Sequence, residues 1–131
     1  MYTDGQIIDA FTAGDCWALA LELKARFPHL TVCTLVDPYW AGEDDTYDYM
    51  QWCHALVYDK NTGTYYDANG AQTFKDVQDN WDGYDWEEIY EIPDEDLGTY
   101  FSDQERYYPE VPVSEGVRLT TLDTAPLSAV A

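Results

Sequence analysis

Between Cys16 and Phe27, apolar side chains recur at Cys16, Leu19, Ala20, Leu23 and Phe27. That spacing of i, i+3, i+4, i+7 and i+11 draws one apolar stripe along a helix. Gly14 frees the turn before the stripe, Asp15 is an N-cap residue type, and Pro28 stops the run. Such a helix has to bury its stripe against another layer, and the chain supplies one downstream. Residues 50–59 (Met-Gln-Trp-Cys-His-Ala-Leu-Val-Tyr-Asp) read as a strand, and 64–68 (Thr-Tyr-Tyr-Asp-Ala) as its partner. Between them, Lys60-Asn61-Thr62-Gly63 is hairpin-turn chemistry. The expected fold class is therefore α+β, with the helix that bears Cys16 packed on an antiparallel β-sheet.

Around this pair the pattern predicts a short helix near Asp4 to Phe11, a strand from Thr31 to Val36, a short helix over Phe74 to Asp79 and a strand over Glu87 to Ile92. A length of 131 residues suits one domain. We expect residues 1–110 to form a single compact domain. Residues 111–131, with Pro112 and Pro126 among small side chains, are expected to be an extended, partly disordered C-terminal segment. Asp4 and Asp9 interrupt the N-terminus, which argues against a signal peptide, and no apolar run approaches the ~20 residues that span a bilayer. Three cysteines at irregular spacing argue against a disulfide framework and for a reducing, cytoplasmic setting.

The same helix start carries the chemistry. A thiol in a first helical turn faces unpaired backbone N–H groups and the positive end of the macrodipole, both of which favour the nucleophilic thiolate. A cysteine on an apolar helix face is more often core than nucleophile. Here, however, His54 opens an apolar strand and Asp67 lies on the next. A cysteine, a histidine and a carboxylate are what a thiol nucleophile, its base and the group orienting the base require. The negative charge of Asp15 works against a thiolate, so Cys16 would depend on His54. If the hairpin loop has an even number of residues, Leu56 faces Asp67, His54 faces Asn69, and His54, Asp67 and Asn69 share one face. An odd loop would turn Asp67 away. Asp67 is the favoured orienting residue and Asn69 the reserve. His29 reads as surface, and Cys33 and Cys53 as buried thiols, with Cys53 pointing away from the face of His54. No paired spacing supports a metal site, and no cofactor is expected.

These residues resemble the papain-like cysteine-proteinase superfamily. Gly14-Asp15-Cys16-Trp17-Ala18 is similar to the Gly-Ser-Cys-Trp-Ala surroundings of the papain nucleophile. The stretch His54-Ala-Leu-Val through Tyr66-Asp67-Ala68-Asn69-Gly70 is more similar to compact transglutaminase-like and arylamine N-acetyltransferase-like members. The resemblance covers roughly residues 12 to 72. It implies a papain-like core and a triad of Cys16, His54 and Asp67 for thiol-dependent acyl chemistry on an amide or thioester-like carbonyl: peptidase, amidase, deamidase or acyl transferase. The interval from Cys16 to His54 leaves no room for a second, substrate-binding half of the papain kind. No glutamine stands shortly before Cys16 to donate to an oxyanion; Gln6 is the nearest candidate, beside the backbone N–H of Cys16. Residues 37–49 are long enough for a lid, and Trp17, Tyr39, Trp40 and Trp52 are candidate substrate or lid contacts.

Six basic against 26 acidic residues give a net charge of −20. Direct nucleic-acid binding is disfavoured, since phosphate contacts need Lys and Arg. The field instead favours a cationic protein or peptide as partner, beside a small amide as substrate. The charge is uneven: residues 79–110 hold twelve acids and one base, Arg106, interleaved with aromatics. This supports an alternative, a non-catalytic acidic inhibitor or DNA mimic of a phage or mobile element that occupies a basic groove.

Overall fold

The computed structural model describes residues 2–37, 51–84 and 86–122. In chain order the elements are α1 (Asp4–Thr12), α2 (Cys16–Arg26), β1 (Thr31–Asp37), β2 (Gln51–Asp59), β3 (Thr64–Asp67), β4 (Gly70–Gln72), α3 (Phe74–Asn80), β5 (Glu88–Glu91), a 3₁₀ turn (Asp94–Asp96), α4 (Leu97–Tyr100) and α5 (Val113–Thr120). The strands form one five-stranded antiparallel sheet in the order β4-β3-β2-β1-β5. The fold is α+β. Among the described residues, no helix is long and apolar enough to cross a membrane.

The sheet is covered on both faces. Ile7, Phe11, Leu19 and Leu23 from α1 and α2, with Val117 from α5, meet Val32, Ala55 and Val57 of the sheet. On the opposite face Cys33, Leu35 and Leu56 pack with Val77 of α3 and with Trp81 just beyond it. Alternation along β2 thus sends Ala55 and Val57 towards the helices and Leu56 towards α3. One irregularity breaks it. Leu35 pairs with His54 and Val36 with Trp52, so Cys53 is an extra, bulged residue. The bulge reverses the alternation beyond it: Trp52 joins the helix-side core and Cys53 the α3 side. Cys53 therefore lies on the side of Leu56, contrary to the expectation from simple alternation, and it is half-buried, whereas Cys33 is fully buried.

The C-terminal segment also departs from expectation. Residues 113–120 form a helix that buries Gly116, Val117 and Thr120. Pro112, read as a mark of extended chain, occupies the N-cap, where its φ of −64° and missing N–H suit a helix start. Gly116 marks a close approach, since a Cβ there would come within 2.9 Å of the Phe11 ring. Residues 123–131 lie outside the described residues.

Candidate active site

The hairpin fixes the positions of His54 and Asp67. Asp59 pairs with Thr64, Tyr58 with Tyr65 and Val57 with Tyr66, leaving a four-residue loop of even count. The Asp59 carboxylate accepts from Asn61 N–H at 2.9 Å and holds that turn. Asp67 therefore shares the face of Leu56 and His54. His54 Nε2 stands 2.8 Å from Asp67 Oδ2, with both side chains buried. The other oxygen, Oδ1, accepts from Asn69 N–H at 2.8 Å and from Gln72 Nε2 at 2.6 Å. Gln72, buried on β4, in turn accepts from Asn80 Nδ2 at 2.8 Å, which ties the carboxylate to the end of α3. Trp81 stacks on His54 with ring centroids 4.0 Å apart and planes at 22°. The ring is thus held by a carboxylate at its edge and an indole on its face. Asn69 contributes its backbone while its side chain is exposed, so of the two candidates it is Asp67 whose side chain meets the ring.

Cys16 reaches His54 through a gap between two strands. Paired residues of β2 and β3 end at Val57 and Tyr66, while Asp67 turns to pair with Gly70 of β4. Backbone groups along a strand point to alternate sides, so Ala55 N–H, two residues past Val57, points to the β3 side where no strand partner remains. It donates to Cys16 Sγ at 3.3 Å. An N–H of this kind lies in the plane of the sheet, which places the sulfur beside β2 in that plane although α2 covers one face. There the thiol meets the ring.

Burial disfavours charge on His54, but the hydrogen bond to Asp67, the hydrogen bonding and charge of Cys16 and the charge of Asp67 outweigh it, and the pKa is raised from 6.5 to about 9. The ring holds its proton at neutral pH. Nδ1 closes no well-formed hydrogen bond, so the contact with sulfur is long or poorly aligned. Cys33 differs: burial, then the charge of Glu91, pushes its thiol up to about 12 and keeps it protonated.

Asp15 corrects another expectation. It occupies the N-cap of α2 but makes no side-chain cap bond. Its buried carboxylate instead accepts from Tyr107 N–H at 2.7 Å, Tyr108 N–H at 3.0 Å and Arg106 Nε at 2.9 Å. Arg106 also donates to the carbonyls of Tyr108 and Val111. The charge expected to oppose a thiolate is therefore paired, and it anchors a distant segment over the helix start. Gly14 permits this packing: its φ is +141°, and a Cβ would lie 2.5 Å from the Tyr107 ring.

Gln6, the nearest candidate for an oxyanion donor, lies in the first turn of α1. Its carbonyl accepts from Thr3 N–H at 2.9 Å in the capping box of α1, on an exposed turn. The first-turn N–H groups of Cys16 and Trp17 take no acceptor among the described residues, as the opening N–H groups of a helix have no carbonyl one turn earlier to bond. Trp17 and Trp52 flank Phe101, with centroids at 6.4 and 5.5 Å, and pack on the core that contains Cys16. Tyr39 and Trp40 lie outside the described residues. No three metal-ligating side chains cluster among the described residues. Sequence reasoning missed Gln72, Asn80, Trp81 and the Asp15–Arg106 pair; only Arg106, a single base among twelve acids, carried a signal in the sequence. No family model, curated protein or solved structure matches the chain.

Proposed function

We propose that this protein performs thiol-dependent acyl chemistry through Cys16, His54 and Asp67, in the manner its papain-like resemblance implies. The observation that carries the reading is the buried His54, bonded to Asp67 at 2.8 Å and in electrostatic contact with Cys16. Cys16 sulfur attacks a carbonyl carbon while the proton resides on His54 Nδ1. The developing oxyanion accepts from the N–H of Cys16, at the positive end of α2. Collapse breaks the bond to the leaving group, which takes the proton from His54, and leaves an acyl thioester on Cys16. Water or an amine then gives up a proton to Nδ1, attacks the thioester and releases the thiol. Water yields hydrolysis and an amine yields transfer.

The test is mass spectrometry of the intact protein after incubation with a panel of aryl esters and short peptide amides. An acyl adduct should appear on Cys16, be absent in Cys16→Ala and be strongly reduced in His54→Gln. An adduct of equal size on Cys53, or none with any substrate, would contradict the proposal. The acidic-inhibitor alternative predicts something else: capture of a nucleic-acid-binding protein by both the natural chain and Cys16→Ala, lost at high salt.

A further inference from the structure

Behind Trp81, on the side of the sheet away from α2, lies a pocket of about 240 Å³ walled by Phe74, Trp81, Tyr84 and Trp86, with Asp82 and Glu87 among its lining residues. We infer that this pocket binds one lysine or arginine side chain of a basic peptide. The walls are fixed relative to one another. Trp86 Nε1 donates to Trp81 carbonyl oxygen at 3.0 Å, and the Trp81 and Tyr84 ring centroids are 4.8 Å apart at 59°. Aromatic faces carry negative potential and attract cations, and the charged residues lining the pocket are both carboxylates. The nearest base in sequence, Lys75, is held by Asp79 at 2.7 Å. Phe74 and Tyr84 remain 48% and 56% exposed, a large apolar area left open to water. The volume is below the roughly 300–1,000 Å³ of sites for drug-sized ligands and suits one side chain. A net charge of −20 would concentrate cationic peptides around the molecule.

The inference stands without the catalytic reading and is tested on the full chain carrying Cys16→Ala. The probe is the peptide acetyl-Ala-Lys-Ala-amide, with its norleucine counterpart as the neutral control, followed by shifts of the tryptophan indole N–H resonances. The lysine peptide should bind saturably and the norleucine peptide at least about five-fold more weakly. Tyr84→Ala should weaken binding about five-fold while Tyr84→Phe retains it. The Asp82→Asn/Glu87→Gln pair should weaken binding, whereas Glu95→Gln/Asp103→Asn, which removes the same charge elsewhere, should leave it unchanged. Absence of saturable binding, equal binding of the norleucine peptide, full binding by Tyr84→Ala, or equal loss in the two charge-neutralised pairs would overturn the assignment.

Discussion

Replacing Asp67 with asparagine keeps the shape of the side chain and removes the charge that faces His54 Nε2 at 2.8 Å. In the native site burial opposes the protonated ring, and Asp67 and Cys16 together overcome that opposition to raise the pKa from 6.5 to about 9. The ring is fully buried, so solvent screening does not dilute the effect. A rise of about 2.5 in pKa, at 1.36 kcal/mol each, links about 3 kcal/mol of stability to the proton. Because the folded value lies above the unfolded one, this stability is fully present below about pH 6.5 and is lost as pH rises through about 9. In Asp67→Asn the amide oxygen is still claimed by Gln72 and by Asn69 N–H, so its NH₂ must face Nε2. The ring is then neutral, with its proton on Nδ1, and cannot accept one from Cys16. Urea unfolding between pH 6 and 10 should show a deficit of about 2–3 kcal/mol at pH 6 that shrinks steadily from about pH 6.5 and is nearly gone above pH 9. Turnover should fall by up to about 10⁴, the cost of the wrong tautomer in serine-protease triads. A deficit that does not change with pH, or a His54 titration unmoved in NMR spectra of the variant, would refute the reasoning.

Arg106→Met leaves the buried Asp15 carboxylate without its ionic partner. Chemical denaturation should show a loss of about 3 kcal/mol, and the amides of Tyr107 and Tyr108 should exchange faster with deuterium. Gly14→Ala should cost about 1–3 kcal/mol through backbone strain and collision with Tyr107. Adding Tyr107→Ala should restore only part of that in the same unfolding assay, because the φ of +141° remains.

What was legible in the sequence is what is encoded locally. The stripe from Cys16 to Phe27 defines α2, and the Lys60–Gly63 turn defines the hairpin. Whether its loop is even or odd, and so which face Asp67 takes, is fixed only by the pairing of Asp59 with Thr64. Where information is non-local, the sequence is silent. The acceptors of Tyr107 and Tyr108 N–H lie on Asp15, over ninety residues away. Gln72 and Asn80 meet only once β4 and α3 have formed. Pro112 and Gly116 carry local signals against a helix, which α5 overrides: one fits its N-cap and the other lets it press on Phe11. The bulge at Cys53 reverses a face assignment that alternation alone would give.

The reactivity of the three thiols tests the central claim most directly. The folded protein is treated with iodoacetamide at pH 7, and each cysteine's alkylation rate is read by peptide mass spectrometry in the natural chain and in His54→Gln. Although Cys16 is only 4% exposed, its pairing with His54 predicts that it reacts fastest. Half-buried Cys53 should follow, and Cys33, its thiol pushed up to about 12, should stay unmodified. His54→Gln should slow Cys16 and leave Cys53 unchanged. A Cys16 no faster than Cys53, or one indifferent to His54→Gln, would contradict the account.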